Sequence, residues 1–259
     1  MPVNNQQKRS AARKLTFPSI SPARARLSSL NSATIIRNNV DAEMLYRDVP
    51  YAKANKGYRI ALLDDGLEGQ IIYSDGIRYR AEGRQLIFTS TFNTNPTRGN
   101  TLIKHAEIKI PYSTAEGSLW QQSDLLELAV AHQRYGTANT GSILTRGIRI
   151  GKSATITDNT LLFAWPASAT NQRGFADNPL IFSRQDSTTV RAFGNYTRWD
   201  NWNGATSADD QYAEFGTTDF DNMDLYDTYV QIGLQFSVAP AADAARVTFF
   251  RAILQTCGE

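Results

Sequence analysis

The chain has 259 residues, 41% hydrophobic and 10% aromatic, enough apolar material for one large or two smaller cores that bury about 70–75% of the unfolded surface. Its one cysteine, Cys257, excludes an intrachain disulfide and a cysteine-based metal site; no apolar run approaches the ~18 residues of a membrane-spanning helix; and the N-terminus has charge without the apolar segment of a secretory signal, so assembly in a cytoplasm is expected. The net charge of +2 is uneven: residues 1–40 hold seven of the 27 basic groups and none of the 25 acidic ones, leaving 20 basic against 25 acidic, a net of −5, for the remainder.

The first 34 residues are rich in Ser, Asn, Arg, Ala and Pro. They read as an extended arm that orders only on a partner. Arg13, Leu15, Phe17 and Ile20, with Leu27, are the candidate anchoring residues. Two other readings stand beside anchoring. Binding to nucleic acid or an anionic surface would call for denser basic runs interleaved with aromatics, where the arm has only Phe17. A solvated tail without a role is the other.

Asp41–Arg47 reads as a short helix with Asp41 as its cap, ended by Val49-Pro50. The next stretch, Tyr58–Arg80, reads YRIALLDDGLEGQIIYSDGIRYR. Arg59–Leu63 is extended, Asp64-Asp65-Gly66 turns, Gln70–Tyr73 is extended, Ser74-Asp75-Gly76 turns and Ile77–Arg80 returns. Asp-Gly between two β-rich runs is a strong hairpin signal. With Ile71, Tyr73, Ile77 and Tyr79 at alternate positions, one face of the hairpin is expected to be apolar. Such a hairpin is marginal alone and has to pack on another domain or another copy.

From Arg84 onward short β runs repeat: Gln85–Phe92, Leu102–Ile110, Leu125–His132, Ser142–Ile150, Thr160–Trp165, Leu180–Ser183, Thr188–Phe193, Tyr229–Val238 and Arg246–Leu254. Gly, Asn and Asp separate them, which argues for an antiparallel sandwich. Periodicity leaves an amphipathic helix open over Ser123–Arg134. Val230, Ile232, Leu234, Phe236 and Val238 form a strict period-2 face.

Asp65, Gly66, Tyr73, Ser74, Asp75, Gly76, Arg78, Tyr79 and Arg80 fit a "D-x-G…YSDG-x-R-[WY]-R" hairpin, with Tyr79 where tryptophan is usual. This resembles a module of bacteriophage tail fibres and other virion proteins that joins an N-terminal virion anchor to a C-terminal β domain. Ile108-Lys109-Ile110-Pro111, then Ser123-Asp124-Leu125-Leu126-Glu127-Leu128-Ala129-Val130, then Ile148-Arg149-Ile150-Gly151, resemble in order the strands of a jelly-roll domain found at the ends of phage fibre proteins. The resemblance covers about residues 45–259. It implies a mainly β protein in three parts: a basic virion-anchoring arm over 1–40, a β-hairpin neck over 41–83 and a jelly-roll sandwich over 84–259. It also implies a homotrimer, with the hairpin's apolar face buried on a threefold axis.

Catalytic constellations are weak. Arg146–Ser153 (RGIRIGKS) has Arg146 where a phosphate-binding loop needs glycine, and Ile148 and Ile150 alternate as in a strand. Only His105 and His132 could serve a triad, and no Gly-x-Ser-x-Gly elbow presents a nucleophile. Trp199–Ala245 holds nine acidic residues and no basic one. A Ca²⁺ site, paired glycosidase carboxylates and a solvated acidic loop compete there. Tyr196, Trp199, Asp200, Trp202 and Asn203 could form a sugar platform, aromatic faces stacking on a pyranose while Asp and Asn fix hydroxyls. The same tryptophans would equally suit an interface or the core.

The expectation is therefore a non-enzymatic bacteriophage virion protein without a cofactor, a short tail fibre or receptor-binding component. Its arm would dock on other virion proteins (a tail adaptor, a portal-proximal protein or the capsid), and a host surface glycan would be a further partner. Nucleic acid and membrane insertion are not expected. Alternatives are a capsid or head-decoration protein and a carbohydrate-active β-sandwich depolymerase.

Overall fold

Ala42-Glu43-Met44 are good helix formers, yet they pair as a strand, parallel to Ile60–Leu62. Asp41 does not cap a helix. Its carboxylate accepts from the Arg59 N–H at 2.8 Å, and within the stretch read as helix only the 3-10 turn Tyr46–Asp48 begins. Tertiary pairing has overridden a weak local propensity. The computed structural model describes residues 40–93, 95–135, 144–168, 175–196, 211–239 and 244–256, and Val40–Glu259 forms one unit.

Four short strands form the N-terminal module: β1 (Ala42–Met44), β2 (Arg59–Leu62), β3 (Ile71–Ser74) and β4 (Tyr79–Ala81), in that order across the sheet. The β3–β4 turn has four residues. Asp75 Oδ1 accepts from the N–H groups of Ile77 (2.7 Å) and Arg78 (2.9 Å), and Gly76 takes φ +94°. Ser74 thus pairs with Tyr79 and Ile72 with Ala81. Facing residues share a side of a sheet, so the buried face is Ile72, Ser74, Tyr79 and Ala81, while Ile77 at the tip is 76% exposed. The expected face of Ile71, Tyr73, Ile77 and Tyr79 is corrected here: an even-numbered turn puts Tyr79 opposite Ser74.

The body adds β5 (Gln85–Phe88), β6 (Thr91–Phe92), β7 (Ile103–Ile110), β8 (Tyr112–Ser113), β9 (Gly117–Ser118), β10 (Leu125–Tyr135), β11 (Leu144–Gly151), β12 (Thr160–Ser168), β13 (Phe175–Arg184), β14 (Thr189–Tyr196), β15 (Gln211–Asp219), β16 (Thr228–Phe236) and β17 (Ala244–Gln255). One sheet runs β15-β14-β13-β10-β17-β5, the other β12-β11-β16-β7-β6. Without the short β6 and the added pair β14–β15, the orders β5-β17-β10-β13 and β7-β16-β11-β12 are those of an eight-stranded jelly roll. The open question over Ser123–Arg134 resolves to strand. The RGIRIGKS stretch is β11 and the residues just after it.

The core lies between the sheets. Val230, Ile232, Leu234 and Phe236 of β16 face Leu126, Leu128 and Val130 of β10 and Phe250, Ala252 and Leu254 of β17, all buried. Each large side chain contributes about 1.5–3 kcal/mol of burial.

The module shares this core. Tyr46, Ile60, Leu62, Leu67, Ile72 and Tyr79 belong to the same buried cluster as Leu86 and Phe88 of β5. The module also covers the sandwich edge. The Gln70 carboxamide accepts from the Ile87 N–H at 2.6 Å and donates to the Ile87 carbonyl, while the Thr89 N–H donates to the Gly66 carbonyl at 2.9 Å. An edge strand left open invites pairing with another chain, and here one amide side chain satisfies both backbone groups. The hairpin's apolar face is therefore spent within the chain, and a threefold axis is not needed to bury it. No described helix is long and apolar enough to cross a membrane.

Candidate functional site

Strand direction sorts the connections to two ends of the sandwich. At the far end lie Tyr135, Leu144, Ser168, Phe175, Tyr196, Gln211, Phe236 and Ala244. Tyr135 pairs with Ala244, Leu144 with both Ser168 and Phe236, and Tyr196 with Gln211. These residues flank 136–143, 169–174, 197–210 and 237–243. Of the expected sugar platform, Tyr196 closes β14, whereas Trp199, Asp200, Trp202 and Asn203 lie outside the described residues. So do the anchoring candidates Arg13, Leu15, Phe17 and Ile20, as well as Cys257.

The near end gathers the module, the segment 111–124, the β13–β14 turn and residues 220–227. Its glue is the acidic stretch, which is not the loop it reads as. Part of it is strand β15, and its later carboxylates are engaged. Asp221 pairs with Lys152 (2.7 Å) and Asp227 with Lys109 (2.6 Å). Asp224 accepts from Arg184 Nη2 (2.6 Å) and from the Ser118 N–H (2.9 Å). Among the described residues no three His, Cys, Asp or Glu are grouped to hold a metal ion.

The two motifs quoted from the sequence meet here. Arg78 Nη2 of the YSDG hairpin lies 2.9 Å from Asp124 Oδ1 of the Ser-Asp-Leu-Leu run, with side-chain exposures of 13% and 1%. Asp124 Oδ2 accepts from the Gln121 N–H (3.1 Å), and the Asp124 carbonyl accepts from Trp120 Nε1 (3.1 Å). Arg184, whose side chain is 2% exposed, donates to Asp224 and to the Trp120 carbonyl. Beside these pairs lies a cleft of about 660 Å³ between module and sandwich, with Tyr51, Ile77, Arg78, Glu116, Gln121 and Arg184 in its walls.

Electrostatics in this cleft are perturbed. Burial raises the Glu116 carboxyl above its usual value, although the Ala52 N–H donates to it at 2.7 Å. Burial, with the Glu116 charge next, pushes the Tyr79 phenol up to about 12 and raises Tyr46 further. The Tyr46 hydroxyl approaches the Gln121 side chain without reaching hydrogen-bond geometry, and among the described residues neither phenol has a hydrogen-bond partner. Sequence reasoning passed over Glu116, Gln121 and Arg184. They sit in ordinary loop and strand contexts, and nothing local marks them.

Neither histidine belongs to a triad. His105 Nε2 lies 2.7 Å from Thr97 Oγ1, and His132 Nε2 accepts from Arg146 inside the sandwich. Burial holds His105 below the usual histidine range. Burial and the Arg146 charge hold His132 well below it. An imidazole with a depressed folded pKa binds protons more readily once unfolded, so the stability it contributes is present above the unfolded value of 6.5 and lost as pH falls through it. Unfolding free energy is expected to fall between about pH 7 and 5, with a slope approaching about 1.4 kcal/mol per pH unit from His132 and a further contribution of the same sign from His105. Urea titrations across that range check this. A slope left unchanged by His132→Gln contradicts it.

No known protein family, curated protein or solved structure matches this chain.

Proposed function

We propose that this chain is a non-enzymatic structural protein of a bacteriophage particle, a short tail fibre or receptor-binding component. The arm (1–40) docks on other virion proteins, and the far-end connections, Trp199 and Trp202 among them, face a host surface glycan. The observation that carries the reading is the Arg78–Asp124 pair. The hairpin motif and the jelly-roll motif, each weak alone, are held together by the residues that define them. The polarity agrees: the segments flanking 197–210 end at the far side of the sandwich from the module that the arm precedes. A jelly roll alone fixes no function, since capsid, lectin and cupin domains share it.

The reading includes a homotrimer. With the hairpin face already buried, self-association falls to the outer face of the β5–β17 edge, where Ile87 is 53% and Phe249 49% exposed. Light scattering on the full chain and on Val40–Glu259 should give three times the chain mass for both, and Phe249→Asp should shift the mass downward. A monomer for both overturns the fibre reading.

A further inference from the structure

We propose that the cleft between module and sandwich is a binding site for an acidic saccharide, a ring that presents one carboxylate and adjacent hydroxyls. This site lies at the opposite end of the sandwich from Tyr196 and Gln211, the residues that flank 197–210, and the proposal does not rest on the virion reading.

Size comes first. About 660 Å³ is within the range of small-ligand clefts, roughly 300–1,000 Å³. The mouth is apolar on the module side: Tyr51 is 63% and Ile77 76% exposed, and both line the cleft. A phenol ring beside an aliphatic side chain suits the C–H face of a pyranose.

Charge comes next. Lys53 lines the cleft and makes no ion pair among the described residues, so its ammonium is available to a ligand carboxylate. The Arg78 and Arg184 guanidinium groups, also in the walls, are already paired with Asp124 and Asp224.

The same walls carry Glu116, Asp186 and Asp224, which accept hydrogen bonds from sugar hydroxyls and confine the ligand carboxylate to the Lys53 side. Gln121, Gln122 and Ser187 add neutral donors and acceptors.

Two buried phenols, Tyr46 and Tyr79, feel the Glu116 charge and have no hydrogen-bond partner among the described residues. Native structures keep few such groups. Glu116 and Gln121 line the cleft and are the groups that a ligand hydroxyl would meet there.

Isothermal titration of the full chain tests the proposal, with a glucuronic-acid-containing disaccharide as probe and the neutral glucose disaccharide of the same linkage as comparison. The expected result is binding of the acidic disaccharide at millimolar concentration or below, about tenfold tighter than the neutral one. Lys53→Ala should remove most of that preference. Tyr51→Ala should weaken both sugars by similar factors. Both cleft substitutions are at exposed positions, and an unchanged unfolding midpoint shows that the fold is intact. Absence of binding overturns the proposal, as does binding indifferent to Lys53→Ala and Tyr51→Ala. Binding abolished by Trp199→Ala would assign the sugar to the far end and overturn it equally.

Discussion

Replacing Asp124 by alanine is expected to lower the unfolding free energy by about 3–5 kcal/mol, the cost of stranding a buried charge whose partner has gone. Arg78 retains only 13% side-chain exposure and Asp124 1%. The carboxylate also accepts the Gln121 N–H, so its loss opens the 121–124 turn as well as the ion pair. That turn orients Trp120, which is fully buried and donates from its indole to the Asp124 carbonyl. Replacing both partners by apolar residues of similar volume, Arg78→Met with Asp124→Leu, should recover most of the loss, because no charge is then stranded. Urea unfolding of Val40–Glu259 and of the full chain measures both. A cost below about 1 kcal/mol would place the pair among ordinary surface bridges, and the module would not be clamped through it.

Gly66→Ala should cost about 3 kcal/mol or more, while Gly69→Ala, three residues on, should cost only about 1–2 kcal/mol. Both glycines are left-handed, at φ +83° and +80°. They differ in what a Cβ would meet. At Gly69 nothing lies within 4 Å, whereas at Gly66 the Thr89 carbonyl oxygen is 2.7 Å away. That oxygen is backbone at the end of β5, and its own residue is tied down by the Thr89 N–H bond to the Gly66 carbonyl. It cannot swing aside as a side chain could. The conformational cost is common to both substitutions, so their difference reports the close approach of module to sandwich edge. Equal midpoint shifts in urea would mean that the module does not dock on β5 as described.

Much of the sandwich is legible in the chain, because a half-buried strand writes its burial as alternation. Val230, Ile232, Leu234 and Phe236 can be read directly, and so can Ile108 and Ile110. What alternation cannot carry is tertiary competition and turn length. Ala42-Glu43-Met44 reads as helix because its residues favour one, and only the pairing with Ile60–Leu62 makes it a strand. The hairpin face is read one residue out, because Ser74-Asp75-Gly76 reads as a three-residue turn where four residues, Asp75 to Arg78, make it. Strand β15 is hidden among carboxylates that suggest a loop, although Tyr212, Phe215, Thr217 and Thr218 carry strand propensity. Arg78 and Asp124 are each visible in a motif. Nothing in one sequence says that two residues 46 apart will pair. The cleft is less legible still, since its walls come from five separate stretches of chain.

The attachment reading is tested most directly by adsorption of the labelled full chain to bacterial cells, beside Val40–Glu259 and the double variant Trp199→Ala, Trp202→Ala. The predicted result is saturable binding by the full chain, retained when residues 1–39 are removed and lost in the tryptophan variant while its unfolding midpoint is unchanged. Binding lost with the arm and indifferent to both tryptophans would contradict it: the contact end would then be the arm, and the far end of the jelly roll would have another role.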